Sequence, residues 1–172
     1  FLFLLTAMTY VNAMSERKIF EILRIYLVNQ GYSYRHLFWI TGVLSFFLSP
    51  LIDNLTTALV MCAVVLTVGK DNKQFVAVGC VNIVVAANAG GAFSPFGDIT
   101  TLMVWQKGHL SFIEFFALFI PSVVNYLVPA IIMSMAINNE NPKVVSEQVV
   151  MKRGAKRIIA LFMLTILTAI SF

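Results

Sequence analysis

Charged residues are scarce in this sequence: Asp, Glu, Lys and Arg make up 12% of the 172 residues, against 59% hydrophobic residues. An ordinary soluble domain carries about 25% charged residues. This shortage, together with a mean hydropathy of +0.87, excludes a disordered chain, a nucleic-acid-binding protein with a basic surface, and the core of a soluble enzyme. The uncharged runs are longer than a strand needs, so they predict an all-α polytopic membrane protein.

Cysteine is almost absent as well. The only two, Cys62 and Cys80, lie inside apolar runs, and their spacing matches neither a metal site nor a disulfide framework. We expect both to be small packing residues. The sequence also lacks an initial Met and a basic leader segment. We therefore expect an internal part of a larger membrane protein.

The alternation of apolar and polar stretches predicts how the chain is organised. Each apolar arm around residues 49–56 is shorter than the roughly 20 residues of a full span, which favours a re-entrant hairpin over two full spans. The predicted segments are the end of a transmembrane helix (1–14), an interfacial helix and connector (15–33), a re-entrant helical hairpin (34–69) with its tip at 49–56, a broken transmembrane helix (75–105) with its break at 89–98, a transmembrane helix (110–137), a cytoplasmic loop (138–157) and the start of the next transmembrane helix (158–172).

The break at 89–98 is predicted from three glycines and a proline, which do not fit an unstrained helix interior. Irregular backbone at membrane depth is tolerated only where it lines a cavity or is buried in protein. With this topology, one side of the membrane holds eleven of the twelve Lys and Arg residues, and the other side holds only Lys107. The asymmetry places residues 70–74 and 138–157 in the cytoplasm.

Two acids, Asp53 and Asp98, are predicted to lie deep in apolar surroundings, where a carboxylate is costly and usually functional. Each could also cap the helix that follows it, although a cap alone does not explain an ionisable group. Glu114 is interpreted as an interfacial acid. Asn88 adjoins the second break and could either bind a ligand or cap a helix end, whereas Asn82 is interpreted as a packing residue.

The two breaks have similar sequences: each contains Ser-Pro, an Asp three residues after the proline, and a Thr-Thr pair. Carboxylates, hydroxyls and freed carbonyl oxygens suit a small hard cation, and transporters coordinate sodium at unwound helices. The residues that support the two breaks are predicted to be Ser49, Pro50, Thr56, Thr57, Gly90, Gly91, Ser94, Pro95 and Gly97.

Segments 49–59 and 88–105 resemble the signature segments of NhaD-type sodium/proton antiporters, which belong to the ion transporter superfamily. The resemblance implies inverted repeats, each with a re-entrant hairpin and a broken helix whose tips meet at the ion site and move in an elevator-like manner. This chain would be the first repeat and the start of the second. The ion-binding and proton-coupling residues that the resemblance implies are Asp53, Asn54, Asn88, Asp98, Thr100 and Thr101, with Asp53 and Asp98 as ligands of the transported sodium.

The resemblance also implies exchange of sodium (or lithium) for protons, with no cofactor and no nucleic-acid partner. Membrane lipids, the other half of the same polypeptide and a second copy are the expected partners. A bacterial inner membrane is the expected location, and a plastid envelope is an alternative.

The sequence argues against three other functions. An anion carrier of the dicarboxylate or arsenite type is disfavoured because Asp53 and Asp98 would repel an anion. An enzyme is disfavoured because the sequence offers no nucleophile–base pair or metal cluster. A purely structural subunit would leave the two buried acids unexplained.

Overall fold

The computed structural model describes residues 9, 12–14, 16–19, 22, 25–26, 29–69, 72–141, 152–161 and 164. Parts of the predicted helix end, interfacial helix, cytoplasmic loop and final run therefore lie outside the described residues. The chain divides into two compact units, one formed by Phe1–Gln30 with Val144–Phe172 and the other by Gly31–Lys143.

The smaller unit contains helical residues at 12–14 and 155–161. Its two sequence segments are joined by Arg17, whose guanidinium Nη1 donates to the carbonyl oxygen of Arg153 at 2.6 Å. Gly154 follows with a φ of +88°, a conformation that residues with a side chain rarely adopt. The Arg17 hydrogen bond and the conformation of Gly154 thus define the turn at residues 153–154.

The larger unit is built from helices, and its described residues include no β-strand. Three stretches are long and apolar enough to cross a membrane: Tyr34–Ile52, Lys73–Gly91 and Glu114–Met135. The prediction of an all-α membrane protein is confirmed. The helices are α1 (Tyr34–Ile52), α2 (Asn54–Val68), α3 (Lys73–Gly91), α4 (Ile99–Gln106), a 3₁₀ helix (Glu114–Leu118) and α5 (Phe119–Met135).

The chain between α1 and α2 is shorter than the predicted tip at 49–56. Only Asp53 is non-helical, with a φ of 104° and a ψ of 155°. Pro50 sits in the last turn of α1, where its missing N–H leaves the carbonyl of Phe46 without the usual helical donor. The reversal is therefore concentrated at one residue, and the re-entrant path of this helix pair through a membrane stays a prediction.

The break after α3 also differs from the expected boundary. The helix continues through Gly91, three residues into the predicted 89–98 segment. Glycine can adopt helical dihedral angles, and the glycines here allow close backbone approaches rather than unwinding the helix. The next helical residue is Ile99, so the irregular segment spans residues 92–98.

Helix α3 lies at the centre of the larger unit and contacts α1, α2 and α5. Its buried face is made largely of small residues, including Gly79, Ala86 and Gly90. Small residues allow helices to approach closely in membrane proteins, where dispersion contacts rather than water exclusion drive helix association. Cys62 of α2 and Cys80 of α3 are free, partly buried thiols at one of these contacts.

Aromatic residues hold the irregular segment in place. The ring of Phe93 packs against Phe46 of α1 at 5.5 Å and against Phe119 of α5 at 5.2 Å between ring centroids. Phe96 packs edge-on against Trp105 of α4 at 5.4 Å. Edge-to-face and tilted pairs at such separations are favourable. The break is therefore anchored by apolar contacts on both sides of its Ser-Pro sequence.

Polar side chains bind two backbone carbonyl groups just after the C-terminal end of α5. Arg35 donates to the carbonyl oxygen of Ile137 at 3.0 Å, and Gln74 donates to that of Ala136 at 2.8 Å. The first residues of α1 and α3 are thereby tied to the end of α5.

Candidate ion-binding site

The two breaks with similar sequences contact each other directly. Ser94 Oγ in the second break donates to the carbonyl oxygen of Pro50 in the first at 3.2 Å. In the opposite direction, the amide N–H of Asn54 donates to the carbonyl oxygen of Gly97 at 3.0 Å. Polar backbone groups that helix breaks expose are thus satisfied across the contact, as burial in an apolar medium requires.

The side chain of Asn54 joins three elements. Its Nδ2 donates to Asp98 Oδ2 at 2.8 Å and lies 3.4 Å from Asn88 Oδ1. Its Oδ1 lies within hydrogen-bonding distance of Ser49 Oγ, which also contacts the carbonyl oxygen of Ala87 at 2.6 Å. We call Asn54, Asn88 and Asp98 the break cluster, because they bring the start of α2, the end of α3 and the start of α4 together.

Asp98 has two sets of contacts. Its Oδ1 accepts hydrogen bonds from the amide and the hydroxyl of Thr100, at 2.9 and 3.0 Å. Thr101 Oγ1 accepts from the Asp98 amide at 3.2 Å. The Asp98 side chain in turn accepts from the backbone amide of Thr101, and this reciprocal pair forms a capping box at the N-terminus of α4. The second carboxylate oxygen, Oδ2, faces Asn54, so the capping role leaves half of the carboxylate for the break cluster.

Asp53 caps α2 in a similar way, through hydrogen bonds from the Thr56 amide at 2.8 Å and the Thr56 hydroxyl at 2.7 Å. Its φ of 104° is rare for a residue other than glycine, and such backbone strain costs of order 1–3 kcal/mol and is concentrated at functional sites. Among the residues that the structure describes, no hydrogen bond joins the Asp53 carboxylate to the break cluster. A site shared by the two aspartates stays a prediction.

The break cluster is open on one side. The side chains of Asn88 and Thr100 are exposed, while those of Asn54 and Asp98 are partly buried. The exposed side presents oxygen atoms from a carboxylate, a carboxamide and a hydroxyl, which are the donor types that hard cations prefer. The residues present therefore fit a sodium-sized cation in their chemistry.

Glycines permit the close packing behind the cluster. A methyl group at Gly91 would overlap the side chain of Asn54, and one at Gly97 would overlap the backbone of Gly91. At Gly90 the obstacle would be the backbone of Phe46, including the carbonyl oxygen that Pro50 leaves without its helical donor. At these three glycines, segments of the chain approach each other so closely that a side chain would not fit.

Three supporting residues lie in surroundings that the sequence did not specify. Ser49 contacts Asn54 directly, whereas its type and position only suggested a turn. Thr57 is 2% exposed, and its Oγ1 has no hydrogen-bond partner among the described residues. Pro95 is buried, and its carbonyl oxygen accepts from Thr101 Oγ1 at 3.4 Å. No local sequence signal distinguishes these contacts from ordinary turns.

A family model described as Citrate transporter, CitMHS, matches residues 1–172. The chain belongs to this family. It is 61% identical to a protein of Vibrio cholerae named Na(+)/H(+) antiporter NhaD, over 99% of this chain and 36% of that protein. A protein of the same name from Vibrio parahaemolyticus is 60% identical, over 99% of this chain and 41% of its own length.

A more distant relative, named Sodium/proton antiporter 1 from Arabidopsis thaliana, is 37% identical over 77% of this chain and 23% of its own length. The CitMHS-family chain thus spans about two fifths or less of each of these three relatives. No solved structure matches it. The predicted resemblance to NhaD-type antiporters is confirmed, and the names are those of transporters rather than enzymes.

Proposed function

We propose that this protein exchanges sodium (or lithium) for protons across a membrane, and that the break cluster together with Asp53 forms its cation and proton site. The names of the relatives support the exchange reaction. The observation that carries the site is the Asn54 side chain, which connects Asp98 and Asn88 where two helix breaks meet. A capping role alone would not require this connection.

The oxygen atoms of the cluster support cation binding. Asp98 Oδ2 and Asn88 Oδ1 both face Asn54 Nδ2, so they lie on the same side of the cluster. A cation that displaces this nitrogen meets one charged and one neutral oxygen ligand. Thr100 Oγ1 supplies a further neutral oxygen, because it already contacts the Asp98 carboxylate.

Proton coupling follows from the carboxylate. Asp98 attracts sodium only while it is ionised, since protonation removes the charge that offsets the cation's loss of water. Sodium and a proton therefore compete for the same group, and exchange needs no separate proton channel. Asp53 adds a second carboxylate at the neighbouring helix start. Thr101 maintains the capping box that orients Asp98.

Anion transport is the second candidate, because the matching family model carries the description Citrate transporter. The charges of the site oppose it. A carboxylate substrate would face Asp53 and Asp98 in a region of low dielectric constant, where like charges repel strongly. Under the cation-exchange hypothesis, a positively charged ion binds beside these two carboxylates instead.

The membrane setting belongs to the same proposal. The three apolar stretches show an integral membrane protein. We propose a bacterial inner membrane, with a plastid envelope as the alternative. Lipids, the rest of the polypeptide and a second copy of the protein are the proposed partners.

The test is dissipation of a pH gradient in everted vesicles that contain the complete protein. Sodium and lithium chloride should each collapse the gradient, whereas potassium chloride should not. Vesicles without the protein control for leak, and citrate uptake is measured in parallel. Uptake of citrate without any sodium-induced proton movement would favour the anion carrier and overturn the proposal.

A further inference from the structure

Three residues from three helices meet away from the break cluster. Gly42 lies on α1, Asn82 on α3 and Tyr126 on α5. A methyl group at Gly42 would overlap both the hydroxyl of Tyr126 and the carboxamide nitrogen, Nδ2, of the Asn82 side chain. The two polar groups therefore enter the same notch, which exists because position 42 has no side chain.

Both polar groups are deeply buried. Asn82 is 0% exposed and Tyr126 is 4% exposed. Asn82 Nδ2 donates to the carbonyl oxygen of Phe38 at 3.0 Å, an assignment that the acceptor fixes, since a carbonyl oxygen cannot donate. Yet Asn82 Oδ1 and Tyr126 Oη have no hydrogen-bond partner among the described residues. An unmet polar group in an apolar interior is destabilising.

The surroundings restrict how these groups can be satisfied. The Tyr126 ring stacks on Phe46 with centroids 5.6 Å apart and planes at 27°, which holds its hydroxyl at the notch. The hydroxyl oxygen and Asn82 Nδ2 both border the position that a methyl group at Gly42 would occupy. Since Nδ2 carries two hydrogen atoms, one remains after the bond to Phe38. The Tyr126 hydroxyl oxygen can accept that hydrogen atom, and its own O–H is a donor for the Asn82 carboxamide oxygen.

We propose that the Tyr126 hydroxyl and the Asn82 carboxamide form an interhelical hydrogen bond over Gly42, and that this bond positions the end of α3 that carries the ion site. The inference rests on the proposed function only in so far as its effect is measured as sodium-dependent exchange. Asn88 lies six residues after Asn82 on the same helix, roughly 9 Å along its axis. A change in the tilt of α3 at Asn82 therefore moves Asn88 and the Gly91 contact with Asn54.

This assigns Asn82 and Tyr126 as positioning residues rather than ligands. Interhelical hydrogen bonds in membranes contribute modestly, so loss of this bond should weaken the apparent sodium affinity by about threefold, equivalent to about 0.6 kcal/mol. The maximal exchange rate should stay unchanged. A purely structural role would lower the thermal midpoint of the purified protein without changing the sodium concentration for half-maximal exchange.

The first experiment measures sodium-dependent exchange in proteoliposomes of the complete protein. Tyr126→Phe removes the hydroxyl but keeps the ring on Phe46, and Asn82→Leu removes the carboxamide at similar size. Each should weaken sodium affinity, and the double variant should be no weaker than Asn82→Leu alone. Ser134→Ala is the control, because that hydroxyl is exposed and bonds within its own helix. Unchanged affinity in Tyr126→Phe, or additive losses in the double variant, would overturn the proposal.

A second experiment uses the notch itself and needs no transport activity. Gly42→Ala should lower the thermal midpoint, because its methyl group overlaps both polar groups. Adding Tyr126→Phe should restore part of that loss, since the phenylalanine no longer places an oxygen atom there. If Tyr126→Phe lowers the midpoint of Gly42→Ala further, the two groups do not share the notch. This outcome would contradict the bond even if the exchange activity itself were absent.

Discussion

The amide nitrogen of Asn54 donates to the carbonyl oxygen of Gly97 at 3.0 Å, although 43 residues separate them in the sequence. This bond places the first residue of α2 beside the last residue before Asp98. The side chain of Asn54, at the start of α2, also donates a hydrogen bond to the Asp98 carboxylate. Together with the Ser94 bond to the Pro50 carbonyl oxygen, the Asn54 amide bond holds the two turns of similar sequence against each other, because each supplies a hydrogen-bond partner for the other's backbone.

Neutralising either carboxylate should abolish exchange. Asp98→Asn retains an oxygen atom for the capping contacts but cannot titrate, and Asp53→Asn keeps a residue type that tolerates positive φ. Both variants should insert into the membrane and fail in the pH-gradient assay. Glu114→Gln is the matched control, since this exposed acid bonds to Ser111 outside the cluster and its loss should leave exchange intact. Full exchange by Asp98→Asn would exclude that carboxylate from the reaction.

The two threonines after Asp98 should affect affinity rather than the reaction itself. Thr100→Ala removes a neutral oxygen beside the carboxylate, and Thr101→Ala removes half of the capping box. Each loss corresponds to about one hydrogen bond, or about 1 kcal/mol, so sodium affinity should weaken about fivefold. Initial exchange rates measured across sodium concentrations would show this. Loss of the maximal exchange rate with unchanged sodium affinity would contradict the roles assigned to the two threonines.

Gly91 should not tolerate a side chain. In Gly91→Ala the methyl group would overlap Asn54, and such overpacking costs typically about 1–3 kcal/mol. Gly79→Ala on the same helix is the matched control, because its methyl group would be farther from its neighbours, the nearest atom being a side-chain methyl carbon of Val65 at 3.0 Å. Thermal midpoints of the purified variants should separate them, with Gly91→Ala the less stable. Equal stability would argue against the tight contact at Asn54.

The orientation can be tested with single cysteines in a background without Cys62 and Cys80. The charge asymmetry predicts that a cysteine in Asn72→Cys is cytoplasmic and that one in Lys107→Cys is external. A membrane-impermeant thiol reagent added outside intact cells should label only the second variant. External labelling at position 72 would reverse the predicted topology.

The sequence is informative wherever the signal is local. Long uncharged runs require helices in a membrane, because the backbone must satisfy its own hydrogen bonds there, and this prediction is confirmed. The caps expected at Asp53 and Asp98 are present as well, since a carboxylate before a helix has few other local partners. The proposed roles of both acids in ion exchange stay predictions.

The resemblance predicts that the two tips meet, but the individual contacts between distant segments could not be predicted from the sequence. The Ser-Pro turns looked alike, yet nothing in their sequences showed that Asn54 would bridge them. Gly91 at the end of α3 packs against Asn54, and the notch at Gly42 is formed by three helices. The sequence predicts a packing role for Asn82. The structure buries it and adds a bond to Phe38.

The central claim is that sodium and protons compete for one carboxylate site. The most direct test is the apparent sodium affinity of the complete protein, measured by initial exchange rates in proteoliposomes over a range of pH. If one proton competes, the affinity should weaken by about tenfold for each pH unit below the controlling pKa. A sodium affinity that does not change with pH, in a protein that still exchanges sodium for protons, would contradict the account.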